Sequence, residues 1–199
     1  MASTAKSSAH SLRWPKASLR RTVADLVELV STAPRRTLVG TGFRQQSPAY
    51  DPLSGEGARI HGGRFNPANS FPVLYICSTP GCAAAELTRF ATSHPIGLSG
   101  FLQRTLWRYE ISLSNVLDLT ETETLDHLGL ESAELVDHER TLTHRIGEVA
   151  HQFGYQAIRN ASAAGVDDVI AVFIENLRSG VLSPSEDEAW NEVADLPIF

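Results

Sequence analysis

Cysteine is scarce in this chain: Cys77 and Cys82 are the only two among 199 residues. Two cysteines are too few for a disulfide framework, and both stand in apolar surroundings, so they read as small buried hydrophobes of a reducing compartment. No apolar run approaches the roughly 20 residues of a transmembrane helix. The apolar stretch after the Ser/Ala-rich N-terminus is interrupted by Asp25 and Glu28, which excludes a signal-peptide core. A cytoplasmic protein with no membrane partner is the expectation. Neither a Gly-x-Gly-x-x-Gly nor a Walker sequence occurs, so a dinucleotide, if bound, is not held in the Rossmann manner. His144, Glu148 and His151 share a predicted helix but lack the His-x-x-x-His zinc spacing, so they read as a solvated face and no metal site is expected. Positive charge is also short. The net charge is −6, and the one basic cluster, Arg13 to Arg21, lies near the N-terminus. A nucleic-acid binder needs a basic face against phosphates, which argues against direct nucleic-acid binding. An acidic protein that binds a diphosphate must concentrate its arginines locally.

What remains is ordinary for a globular chain: 42% hydrophobic, 20% charged and 8% aromatic. Those fractions exclude a fibrous or wholly disordered polymer, and the length suits one core. Residues 1–16 lack periodicity and read as a flexible tail. Leu19, Val23, Leu26, Val27 and Val30 recur at helical spacing, giving an N-terminal helix within 17–36 that stops before Pro34. Residues 37–43 read as a strand ending at Arg44. Residues 45–72, rich in Gly, Pro, Ser and Asn, read as one long irregular stretch. Such a stretch is usually functional or disordered, and the spacing of Gly55, Gly57, Gly62 and Gly63 favours function. Residues 73–77 read as a buried strand. Thr79 and Pro80 then mark a helix start, a hydroxyl N-cap with proline at the first position, for a helix over 81–91. Alternation over 104–113 predicts a strand, and 116–119 a separate short one. A long helix is expected over 131–153, with Leu135, Leu142, Ile146, Val149 and Phe153 on one face. Strands follow at 155–158 and 169–174. The acidic segment 183–199 reads as a surface helix or frayed end. The sum is a single α+β domain, a small mixed β core flanked by helices, with its main body in 37–182.

The densest chemistry lies between Gly57 and Leu87. Arg64 sits beside two glycines and before Asn66-Pro67. It is either a surface ion-pair residue or, given that setting, a fork for phosphate or ribose. Tyr75 is either a core tyrosine with a paired hydroxyl or a face for a flat ring. Glu86 interrupts a run of alanines on a short helix, so it must be paired, exposed or used, because unpaired burial is costly. Arg89, at i+3, is the bland partner. Ser162 fits a turn serine by spacing alone; the alternative is a hydroxyl for phosphate or sugar. Arginines for a diphosphate, an aromatic for a flat base and a carboxylate for a developing cation suit a substrate such as NAD.

These residues resemble the RES-domain toxins of bacterial toxin–antitoxin systems, and within them the mycobacterial NAD-phosphorylase type. The likeness is carried by Ser54 to Arg59, Gly62 to Pro67, Leu74-Tyr75, the alanine run ending in Glu86, and Ile158 to Ser162. It spans about residues 38–180. The Arg, Glu and Ser of the family name map to Arg64, Glu86 and Ser162. A further family arginine maps to Arg44, and the family tyrosine to Tyr75. Phe65 stands where the family has Trp, a change that keeps a stacking ring and drops its N–H. Asn160-Ala161 stand where many relatives carry an aromatic and a proline.

The resemblance implies a fold similar to the ADP-ribosyltransferases and cleavage of the nicotinamide–ribose bond of NAD+, with inorganic phosphate or water as acceptor. NAD+ is then substrate and no cofactor is needed. Arg64, Glu86 and Tyr75 are the implied catalytic residues; Arg44, Arg64, Tyr75 and Ser162 bind substrate. The implied partner is an Xre-like antitoxin, with a homodimer inside the toxin–antitoxin complex as a further assembly. The same residues leave open a protein ADP-ribosyltransferase and a nucleotide- or antitoxin-binding module without turnover.

Overall fold

The computed structural model describes residues 23–198. The expected tail over 1–16, the basic cluster and the start of the N-terminal helix lie outside them. Helix α1, Val23–Thr32, ends just ahead of Pro34 as the proline dictates. Leu26 and Val30 are buried in the main core. The Tyr155 hydroxyl is held at its C-terminal end, 2.9 Å from the Val30 carbonyl oxygen and 3.1 Å from that of Ala33. This helix is therefore part of the domain core rather than a segment apart.

Six strands follow: β1 Arg36–Gln46, β2 Val73–Cys77, β3 Arg104–Asp118, β4 Ala157–Ala161, β5 Asp168–Phe173 and β6 Leu182–Trp190. They hydrogen-bond in the order β1-β2-β5-β4-β3-β6, and β1 also pairs with β3. That extra pairing closes the first five into a small barrel. The β3–β4 pair is parallel and the others are antiparallel. The 15 residues of β3 make the closure possible. One end pairs with β1 and β6, and the far end, Val116–Asp118, pairs with β4. The separate strand expected at 116–119 is thus the end of β3.

Strand β2 matches its predicted bounds, and its alternation organises the molecule. Leu74 and Ile76 join Tyr109, Ile111 and Val172 in one apolar cluster. Val73 on the opposite face joins a second, under α1 and a helix over Thr141–Gln152. Cys77 joins a third, with helix α3 (Pro80–Thr92), Leu106 and Trp190. Tyr75 lies on that same face, between the second cluster and the third.

Three further expectations are corrected. The stretch 45–72 is not wholly irregular, because it carries helix α2, Glu56–His61. The helix expected over 131–153 is broken. A 3-10 turn at Ser132–Leu135 precedes α5, Thr141–Gln152; the remaining helix, α4, is Thr122–Leu128. Between the two, Glu139 accepts hydrogen bonds from the Thr141 backbone N–H at 2.8 Å and hydroxyl at 2.6 Å. Asp137 accepts from the His138 N–H. Such local bonds compete with helical ones. The acidic segment after Ser183 is β6, paired with β3, so the boundary at 182/183 falls inside a strand. Its acidic residues are weak strand formers, but Leu182 and Trp190 bury both ends. Pro184 is tolerated on an edge strand, where charge also blocks further pairing.

Helix α5 packs so tightly on the glycine-rich loop ahead of β2 that a Cβ at Gly147 would lie 1.7 Å from the Phe65 carbonyl oxygen. Backbone cannot yield as a flexible side chain does. Gly147→Ala is therefore expected to cost about 1–3 kcal/mol through overpacking, and thermal unfolding should show a fall of several degrees, at roughly 2–4 °C per kcal/mol for a domain of this size.

Candidate functional site

The glycine-rich segment is fastened to β2 through one hydroxyl. Tyr75 Oη accepts from the Phe65 N–H at 2.9 Å and donates to Asn66 Oδ1 at 2.9 Å. Asn66, itself buried, donates from Nδ2 to the Ala58 carbonyl at 2.7 Å. Gly63 must be glycine for this arrangement, since a Cβ there would sit 2.3 Å from Tyr75 Oη. Behind the turn, His144 of α5 places Nε2 3.0 Å from the Gly63 carbonyl oxygen, so that nitrogen carries the proton it donates. Burial pushes the Tyr75 phenol well above its usual range, a shift partly opposed by the Phe65 N–H it accepts. The hydroxyl is thus a neutral structural hub, on a residue that also borders the cavity described next. The Phe65 ring lies 1% exposed in the core under α5. The aromatic at the family's tryptophan position is therefore packed away rather than presented for stacking.

The hub borders a cavity of about 290 Å³ lined by Arg44, Arg64, Tyr75, Glu86, Arg89 and Arg140 among others. Four of the five predicted site residues are in that lining. Arg44, near the end of β1, donates from Nη1 to the Tyr75 carbonyl at 3.0 Å and from Nε to Gln46 Oε1 at 3.1 Å. Arg64 donates from Nη1 to the carbonyls of Leu135 and Asp137, each at 2.9 Å. Neither arginine ion-pairs among the described residues. Burial lowers the pKa of both, and at Arg64 the neighbouring Arg140 and Arg89 lower it further.

Helix α3 begins as expected, with Thr79 Oγ1 accepting from the Cys82 N–H and Pro80 at the first position. That start aims Glu86 into the cavity while Ala83, Ala84, Ala85 and Leu87 are buried. Both carboxylate oxygens are engaged. Ser162 Oγ donates to Oε1 at 2.7 Å, and Arg89 donates to Oε2 from Nε at 3.0 Å and Nη2 at 2.9 Å. The Ser162 hydroxyl also accepts from the Ala164 N–H at 3.0 Å. The serine expected to meet a phosphate or sugar oxygen is thus placed beneath Glu86, 4% exposed, and orients the carboxylate. The bland partner Arg89 and the site carboxylate prove to be one unit.

Two cavity cations escaped the sequence reading. Arg89 was legible only as a helix-surface partner. Arg140 fell inside the helix expected over 131–153; the break at 136–140 puts it at the N-cap of α5 and beside the cavity. Asn160, buried at the end of β4, also lines the wall. His144 and His151 serve elsewhere: His151 stacks on Phe71 at 4.1 Å and meets Glu175 at 3.1 Å. Four guanidiniums against one oriented carboxylate, in a partly desolvated space, favour an anionic ligand that carries or develops one local positive centre.

The RES domain family model matches residues 34–195. The chain is 28% identical over 144 residues to the NAD(+) phosphorylase MbcT of Mycobacterium tuberculosis, covering 71% of this chain and 77% of that protein. It is 32% identical over 155 residues to the probable NAD(+) phosphorylase Rv3189 of the same organism, covering 76% and 73%. Among solved structures, the crystal structure of the M. tuberculosis MbcT-MbcA toxin-antitoxin complex superposes with a TM-score of 0.68. That match has 26% identity and covers 81% of this chain and 91% of that one.

If the Tyr75 hydroxyl is a structural hub, Tyr75→Phe leaves the Phe65 N–H and Asn66 Oδ1 unpaired. A loss of about 1–3 kcal/mol is expected, read as a lowered melting temperature. A hydroxyl with only a chemical role would leave melting unchanged.

Proposed function

The chain belongs to the RES domain family, and from that premise we propose that it is a toxin-type enzyme that destroys NAD+ by cleaving its nicotinamide–ribose bond. Inorganic phosphate is the acceptor we favour. One observation carries the reading: a carboxylate held on both oxygens, Glu86, in a cavity whose other charged lining residues are all arginines. The names of its relatives, NAD(+) phosphorylases, support the same chemistry. So does the family's mapping of Arg64, Glu86 and Ser162 onto one cluster.

In the proposed step the C–N bond between ribose C1′ and nicotinamide breaks, and its electron pair stays on the pyridine nitrogen. Nicotinamide therefore leaves neutral without needing a proton. Positive charge builds on the ribose, and Glu86 stabilises it or holds a ribose hydroxyl that does so. Ser162 and Arg89 fix the carboxylate beforehand, so it need not reorganise as the charge appears. Arg44 and Arg64 hold phosphate groups, and a phosphate oxygen then bonds to C1′ to give ADP-ribose phosphate. The likeness to a toxin–antitoxin complex supports a protein partner for this chain. An Xre-like antitoxin and an ADP-ribosyltransferase-like fold belong to the same proposal.

Purified protein incubated with NAD+ should release nicotinamide, with ADP-ribose phosphate formed only when inorganic phosphate is present; chromatography of the products reads both. Phosphate-independent release would replace the phosphorylase with a glycohydrolase. ADP-ribose found on protein by mass spectrometry would make the enzyme a transferase, and binding without release would make it a nucleotide-binding module. Glu86→Gln keeps the shape and removes the charge, so the rate should fall about a hundred- to a thousandfold with the melting temperature retained. Ser162→Ala removes one hydrogen bond to a charged group and should cost about ten- to a hundredfold in kcat, with a smaller change in KM.

A further inference from the structure

Arg140 is a cavity residue that neither the sequence pattern nor the family residues single out. Its guanidinium makes no hydrogen bond and no ion pair among the described residues, although it lines the same cavity as Arg64. Its charge is the largest electrostatic influence on Arg64 after burial, and it also acts on the Tyr75 phenol. The two cations are delivered by one short segment. The carbonyls of Leu135 and Asp137 anchor Arg64 through Nη1 alone, leaving its Nε and Nη2 without an acceptor among the described residues. Three residues further along stands Arg140. A half-buried guanidinium that feels a second like charge is disfavoured unless a counter-charge joins them. The guanidinium fork suits an oxyanion that takes paired N–H bonds.

We propose that Arg64 and Arg140 form a clamp for a phosphoryl group, and that Arg140 is its second phosphate-binding residue. The identity of the phosphoryl group rests on the reading above: it belongs either to the diphosphate of the dinucleotide or to free inorganic phosphate. The 3-10 turn and the interruption of the helix ahead of α5 are what bring the second fork to the same cavity as the first.

Calorimetric titration separates these sources without any turnover. ADP-ribose carries the diphosphate but no scissile nicotinamide bond, and inorganic phosphate carries only the acceptor. The Arg140 side chain is exposed, so Arg140→Ala should keep the fold, checked by its melting temperature. The expected result is a Kd raised about ten- to a hundredfold for at least one probe. Arg140→Lys should recover part of it, because charge survives and the fork does not. Weakened ADP-ribose binding assigns the clamp to the substrate diphosphate; weakened phosphate binding assigns it to the acceptor. Unchanged affinity for both in folded Arg140→Ala overturns the clamp, as does a wild-type protein that binds neither. Intact probe binding without nicotinamide release would sink the NAD+ reading and leave the clamp standing.

Discussion

The site depends on one buried hydroxyl. Tyr75 Oη sits between the Phe65 N–H and Asn66 Oδ1, and through Asn66 it reaches the Ala58 carbonyl. Those bonds fix a glycine-rich loop, which has little apolar surface of its own, to the most regular strand of the barrel. Helix α5 seals the other side, with backbone meeting backbone at Gly147 and His144 bonded to Gly63. The position of Arg64 follows from both contacts. A loop of this composition loses much conformational freedom on ordering. It is held by hydrogen bonds that burial strengthens and by a helix that fits only because one residue lacks a side chain.

Around that fixed point the electrostatics are one-sided. Arg44 and Arg64 satisfy part of their donors on backbone carbonyls and leave the charge itself unanswered. Glu86 is handled in the opposite way, with every oxygen met by a donor. Carbonyl oxygens can orient a guanidinium without cancelling its positive charge. The wall therefore holds shape and potential at once, the condition for an anion to enter without prior rearrangement.

How much was legible in the sequence depended on how local each signal was. The Thr79-Pro80 start and β2 were read correctly, because capping chemistry and a continuous apolar run are local; Arg44, Arg64, Tyr75 and Glu86, singled out by family spacing, line one cavity. Ser162 was placed at the site with another role in view. Its bond to Glu86 spans 76 residues of chain, a pairing no spacing argument reaches. Arg140 was hidden by a periodic pattern that continued across 136–140 while side-chain bonds at Glu139 and Asp137 ended the helix. β6 was missed because its acidic residues deny strand propensity, and the decisive contacts, Leu182 and Trp190, stand at its ends. Barrel closure by β1 and β3 was not legible at all, since it is a property of register.

That closure has a kinetic side. Strand β1 pairs with β3 across some seventy residues, and β3 pairs in parallel with β4 just over forty residues further on. Few of these contacts are local, and topologies dominated by distant pairings fold slowly. Arg44 and Glu86 both precede β4, whereas Ser162 follows it. A chain still emerging from the ribosome thus holds its carboxylate before it holds the hydroxyl that aims it. The oriented site is among the last features to form, so the finished chemistry lags behind synthesis of the residues that perform it.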